Sequence, residues 1–178
     1  MEAWQLPGVA REPPMSGLLR NLIAFFIGLF GYASRETTDT VETHFWVTPF
    51  DSGVRVLKSD KYLQYAETAQ LDYLLKVGRF FAVLRGGAGF VNLAQQVRFL
   101  RPIALFSRVS VETRLLYADD KCAYFQHALY ARGDLAAEVL VKMKFKKAGR
   151  TMAPATFLAF SFDAMPDSVR SWETALQG

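Results

Sequence analysis

Residues 51–77 read DSGVRVLKSDKYLQYAETAQLDYLLKV, a turn running directly into a helix. Asp51-Ser52-Gly53 is turn chemistry, because a short polar side chain can bond nearby backbone and glycine accepts angles that other residues avoid. Ser59 or Asp60 is placed to cap a helix. Beyond them, apolar residues fall at Tyr62, Ala66, Ala69, Tyr73 and Val77, and Tyr65, Leu71, Leu74 and Leu75 widen the stripe. This spacing predicts a helix over 58–77 with a broad buried face. Gly78 is its expected stop.

On the N-terminal side, Val41, Thr43, Phe45 and Val47 alternate with polar residues, so 41–47 is a predicted strand that Pro49 ends. On the C-terminal side, RFFAVLR (79–85) fits either a short helix or a strand, and Gly86-Gly87-Ala88-Gly89 is a flexible turn. The period then changes to two. Strands are predicted over 90–99, 106–117, 122–131 and 135–147, separated by Arg101-Pro102, Ala118-Asp119-Asp120 and Arg132-Gly133-Asp134. In the last strand Ala137, Val139, Val141, Met143 and Phe145 face inward, while Glu138, Lys142, Lys144 and Lys146 form a solvated outer row. Short connections predict an antiparallel meander. One strand, one long buried helix and four strands make an α+β layout, in which a curled sheet can bury the helix on its concave face.

A length of 178 residues favours one domain with flanking segments. The expected division is a leader with an apolar helix (1–35), the domain (36–150) and a tail (151–178) with no assigned structure. With 51% hydrophobic residues, 15 of them Phe, the chain can bury a sizeable core. A formal charge of +4 is compatible with a phosphate-bearing ligand or an anionic membrane. No zinc-ligand spacing, helix-turn-helix signal or dense basic helix is present, so nucleic acid is not an expected partner. The single Cys122 excludes an intramolecular disulfide and reads as a packed thiol. His44 and His127 fall on separate strands without ligand spacing, so neither metal nor cofactor is expected. Residues 16–33, SGLLRNLIAFFIGLFGYA, are apolar but interrupted by Arg20 and Asn21, and 22–33 alone is short for a bilayer. Two readings stay open: a helix lying in a membrane interface, or one covering an apolar face of the domain or of a partner subunit. The expected location is the cytoplasm, with membrane association through 16–33 as the alternative.

Several of these motifs together resemble a known family. The stretch 51–70 resembles the signature of 4-hydroxybenzoyl-CoA-thioesterase-type hotdog proteins: an Asp in a turn, then a helix reading Tyr-Leu-x-Tyr-x-Glu-x-Ala. Tyr62, Leu63, Tyr65, Glu67 and Ala69 match that helix. VRFLRP (97–102) resembles the family's second strand, which ends near an Arg-Pro. LYADDKCAY (116–124) resembles a turn of the sub-branch that includes the thioesterase superfamily member 6 type. The resemblance covers roughly residues 43–147.

It implies a hotdog fold, an antiparallel sheet wrapped around a long central helix. It also implies an acyl-CoA or acyl-carrier-protein thioester as substrate, and a homodimer or tetramer with the site between subunits. Asp51 becomes the implied base or nucleophile, and Glu67 a second candidate catalytic carboxylate. From the residues alone, Asp51 reads first as a turn carboxylate bonding the backbone of Gly53, and Glu67 as a locally paired acid. The oxyanion donor would be an amide at the helix start, where the dipole favours negative charge. Arg55, Lys58 and Lys61 lie near that end and could meet coenzyme A phosphates, although loop cations are commonly just solvated. Tyr62 is a further substrate-binding candidate. The chain departs from the pattern in one place: a His-x-Asn-Asn element is missing, and RVLKSD (55–60) stands there instead. A non-catalytic hotdog protein that binds acyl thioesters or lipids is therefore the alternative to hydrolysis.

Overall fold

A computed structural model of the chain describes residues 35–160 and 162–177. The expected leader and the apolar segment 16–33 lie outside the described residues. In chain order the elements are β1 (Val41–Trp46), α1 (Ser59–Lys76), α2 (Phe80–Arg85), β2 (Gly89–Phe99), β3 (Arg108–Ala118), β4 (Ala123–Ala131), β5 (Asp134–Lys147), β6 (Arg150–Met152), α3 (Ala155–Leu158) and α4 (Asp167–Gln177). The ambiguous 79–85 segment is therefore helical.

The strands form one antiparallel sheet in the order β1-β3-β4-β5-β2, with the short β6 pairing with β5. This corrects the expected meander, which holds only from β3 to β5. Arg101-Pro102 does not close a hairpin between β2 and β3. Instead residues 100–107 cross the end of the domain and bond to the β1–α1 connection: Leu57 N–H donates to Ile103 O (2.8 Å) and Leu105 N–H to Arg55 O (2.9 Å). β2 is thereby free to pair with the far side of β5, from Gly89↔Lys146 to Phe99↔Ala137.

Helix α1 lies on the concave face. Tyr62, Tyr65, Ala66, Ala69, Tyr73 and Leu74 are buried there against Phe45, Val109, Val111, Phe125, Val139, Val141 and Phe145. Ala66 and Ala69 allow close approach, and the larger rings fill the space at either end: Phe45 stacks on Tyr65 at 4.6 Å and Tyr73 meets Phe125 edge-on at 5.5 Å. The period-two patterns of β3 and β5 follow from this, since alternate side chains must enter the core. The expected cap residues are corrected by one step. Ser59 and Asp60 are the first two helical residues, and Lys58 occupies the cap position without a side-chain bond. Gly78, at φ 70°, ends the helix as expected, with its N–H donating to Leu75 O (3.0 Å).

The convex face carries a second, smaller core that the sequence did not reveal. Val169 and Trp172 of α4 pack on Cys122 and Tyr124. Lys142 leaves the predicted solvated row to pair with Glu173 at 2.7 Å. The Cys122 thiol is buried, as expected, and burial pushes its pKa up. A curled antiparallel sheet around a long central helix is the hotdog fold.

Candidate active site

The turn that opens the 51–77 stretch is locked from behind. Asp51 is only 2% exposed. Its Oδ2 accepts from Thr48 N–H (3.1 Å) and from Thr48 Oγ1 (2.6 Å), and its own N–H donates to Thr48 O (3.0 Å). The Gly53 N–H, the expected partner of Asp51, has another acceptor. Gly53 N–H donates instead to Val56 O (2.9 Å), closing a small hairpin whose Ser52 and Leu57 bridge. Thr48-Pro49-Phe50-Asp51 is the missed signal: a hydroxyl three residues before a turn carboxylate can lock it.

The main chain of Asp51 also reaches the helix, because Lys58 N–H donates to Asp51 O (3.0 Å). The carboxylate-bearing residue is thus bonded to the position that starts α1. The amides of Ser59 and Asp60 follow at once, ahead of any intrahelical acceptor, where the helix dipole is most positive. Arg55 and Lys58 are exposed on the same connection. Tyr62 is not an open wall of the site. It is buried, and its ring meets Phe99 edge-on at 5.0 Å. Burial raises the Tyr62 pKa, and the Ile103 backbone beside its hydroxyl lowers it by less. Lys61, also buried, donates to Gln64 Oε1 (3.1 Å).

Glu67 stands apart. It lies eight residues into α1, roughly 12 Å along the axis from Ser59. It is exposed beside β2, where Asn92 Nδ2 and Gln95 Nε2 each donate to it at 3.3 Å. Asp51, Arg55, Lys58 and the helix start are therefore gathered in one unit, and Glu67 is turned toward the edge strand. His44 and His127 stay on β1 and β4, and the described residues contain no cluster of three or more potential metal ligands.

Comparison with known proteins bears on the domain, over a stretch that begins three residues after Asp51. Residues 54–172 match the thioesterase-like superfamily. The chain belongs to that superfamily. Among its thioesterase-like relatives, Protein THEM6 of Drosophila melanogaster is 25% identical over 118 residues, covering 65% of this chain and 61% of the relative. The chain thus spans about three-fifths of that curated relative's length. The YbaW probable thioesterase of Escherichia coli superposes with a TM-score of 0.61 at 18% identity, covering 66% of this chain and 92% of the other. A Staphylococcus aureus hypothetical protein solved in complex with CoA gives a TM-score of 0.61 at 14% identity, covering 77% and 96%. At such low identity these two structures establish the hotdog fold of the thioesterase-like chain, already seen in its strand order.

Proposed function

We propose that this protein hydrolyses an acyl-CoA or acyl-carrier-protein thioester to the free acid and thiol. The observation that carries the reading is the Asp51 unit: a nearly buried carboxylate, oriented by Thr48 and bonded through its main chain to the residue that starts α1. Membership of the thioesterase-like superfamily supports the reaction class, and the CoA held by one fold relative supports the type of thiol.

In this reading Asp51 takes a proton from water, and the water oxygen attacks the thioester carbonyl. The oxygen of the tetrahedral intermediate gathers charge facing the amides of Ser59 and Asp60. Collapse breaks the C–S bond and releases the thiol, which recovers the proton. Direct attack by the Asp51 carboxylate, through an anhydride that water then opens, uses the same residues. Arg55 and Lys58 meet the phosphates of the thiol carrier. Glu67 acts across a homodimer interface formed at the β2 edge.

A second reading has two observations in its favour. The Asp51 carboxylate is already engaged by two donors of Thr48, and RVLKSD stands where the resembled pattern has a His-x-Asn-Asn element. Under it, the protein retains acyl thioesters without turning them over. One assay separates the two: release of free thiol from a panel of acyl-CoAs. Hydrolysis is expected, and Asp51→Asn, which keeps an oxygen acceptor for Thr48, is expected to reduce it by at least about 100-fold. Turnover that survives this change removes Asp51 from the mechanism. Ligand retention with no thiol release establishes the binding reading.

A further inference from the structure

One end of the domain carries large apolar side chains out in solvent. Trp46 is 65% exposed, Phe50 82%, Val54 90% and Phe106 68%. They stand on two segments stitched together by backbone bonds. Phe106 N–H donates to Val47 O, Leu105 N–H to Arg55 O, and Trp46 pairs with Arg108 in the sheet. A folded chain seldom leaves so many large apolar groups together in water unless something covers them. Phe106 adds a second anomaly. Its φ is 61°, a conformation suited to glycine and strained for a bulky residue. The chain keeps an exposed aromatic ring at a position where glycine would relieve strain.

The same end is basic. Residues 46–61, 99–108 and 130–135 hold Arg55, Lys58, Lys61, Arg101, Arg108 and Arg132 against Asp51, Asp60 and Asp134, an excess that makes up most of the chain's formal +4. A groove of about 480 Å³ joins the two characters, since Phe106, Arg108, Arg132, His44, Ser110 and Tyr130 all line it. Arg101 is paired with Asp134 at 2.5 Å, but among the described residues no carboxylate pairs with Arg108 or Arg132.

We propose that this end of the domain docks on an anionic phospholipid bilayer. Phe50, Val54, Trp46 and Phe106 enter the boundary between headgroups and acyl chains, and Arg108 and Arg132 meet lipid phosphates. Three features favour a bilayer over a protein groove as the occupant. The most exposed apolar groups sit on the 48–51 turn, the hairpin that follows it and the crossing loop, convex features that insert into a fluid rather than receive a ligand. Tryptophan and phenylalanine beside arginine is the combination that suits an interface with apolar and anionic layers. The excess cations complement a negative membrane surface. The docking uses neither residues 16–33 nor the Asp51 carboxylate, so it stands independently of the hydrolytic reading.

The 178-residue chain carrying Trp4→Phe and Trp172→Phe retains Trp46 as its only tryptophan. Mixed with vesicles of phosphatidylcholine and phosphatidylserine bearing brominated acyl chains, its emission should shift to the blue and be quenched. Vesicles of phosphatidylcholine alone, or added salt, should reduce the effect. Arg108→Gln and Arg132→Gln should each weaken partitioning about 5-fold. Phe106→Gly relieves the left-handed backbone, so it should hold or raise thermal stability while weakening partitioning, which a purely structural role would not produce. Vesicle-bound protein whose Trp46 is unquenched would be attached elsewhere, and the proposal fails. Equal partitioning into neutral vesicles also overturns it. So does conversion of a dimer to a monomer by Phe50→Ser with Phe106→Gly, because the face would then be a subunit contact.

Discussion

His127 lies within β4 with no exposed surface, on the face that packs against α1. Its Nδ1 is 3.0 Å from Thr113 Oγ1, and its ring lies nearly parallel to Phe125. Among the described residues its buried Nε2 has no hydrogen-bond partner. Burial alone lowers its pKa to about 3, far below the ordinary value near 6.5. Between those values the unfolded chain binds a proton that the folded chain refuses. The stability contributed by neutral His127 is therefore complete above about pH 6.5 and is lost as pH falls toward 3. The slope is about 1.4 kcal/mol per pH unit within that window. Urea unfolding at pH 7 and pH 5 should show about 2 kcal/mol less stability at the lower pH from this group. His127→Gln should remove that part of the difference. An unchanged pH dependence in the variant would mean that His127 is not the group being titrated. The same scale shows what one sequence can and cannot reveal about a site. The turn at Asp51 was legible because it and the following helix have local signatures. Its bond to Thr48 carries no signature of that strength, and the burial of Tyr62 against Phe99 was invisible because it depends on a strand 37 residues away.

At the scale of elements, α1 and the five long strands were legible because each carries its own period. What failed was the pairing of β2. Period two states that a strand exists but not which neighbour it joins, and the crossing of residues 100–107 is decided by bonds to the β1–α1 connection. The helix α4 escaped for a related reason. Its apolar residues Val169, Trp172 and Leu176 make only a narrow stripe, and the sheet residues that receive it, Cys122 and Tyr124, lie within an ordinary strand pattern. Once docked, α4 is held by Trp172 edge-on to Tyr124 at 6.4 Å and by Glu173 with Lys142, whose ammonium also lies over the Tyr124 ring. Burial and the nearby Asp119 and Glu173 carboxylates push the Tyr124 hydroxyl well above its ordinary range, so it stays protonated. Trp172→Ala should cost about 3 kcal/mol. Because α4 packs on the convex face, outside the main core around α1, the loss should appear as early amide exchange in residues 167–177 before the sheet opens. Uniform loss of protection across β3 to β5 would show that α4 is part of the main cooperative unit instead.

At the scale of the whole molecule, the two sheet edges differ. β1 closes one edge with six residues. β2 closes the other with eleven, GFVNLAQQVRF, which contain no proline and no charge before Arg98. Natural edges are usually blunted by lysine, proline or shortness, and apart from a register shift near Leu93 this one has none of those protections. Phe90, Val91 and Leu93 are exposed along it, and Glu67 lies beside it with Asn92 and Gln95. An unprotected edge next to a candidate carboxylate is the arrangement expected if a second copy pairs there and brings Glu67 near its neighbour's Asp51 unit. Sedimentation should then give a dimer for the parent chain. Val91→Lys with Leu93→Lys should shift it to a monomer, since like charges would face each other across the new pairing. Thiol release should fall with the dimer fraction and recover at higher protein concentration. Glu67→Gln should lose activity while keeping the dimer mass. A monomeric parent with full activity would remove both the β2 pairing and the cross-subunit role of Glu67. A dimer that survives both lysines would place the interface elsewhere on the fold.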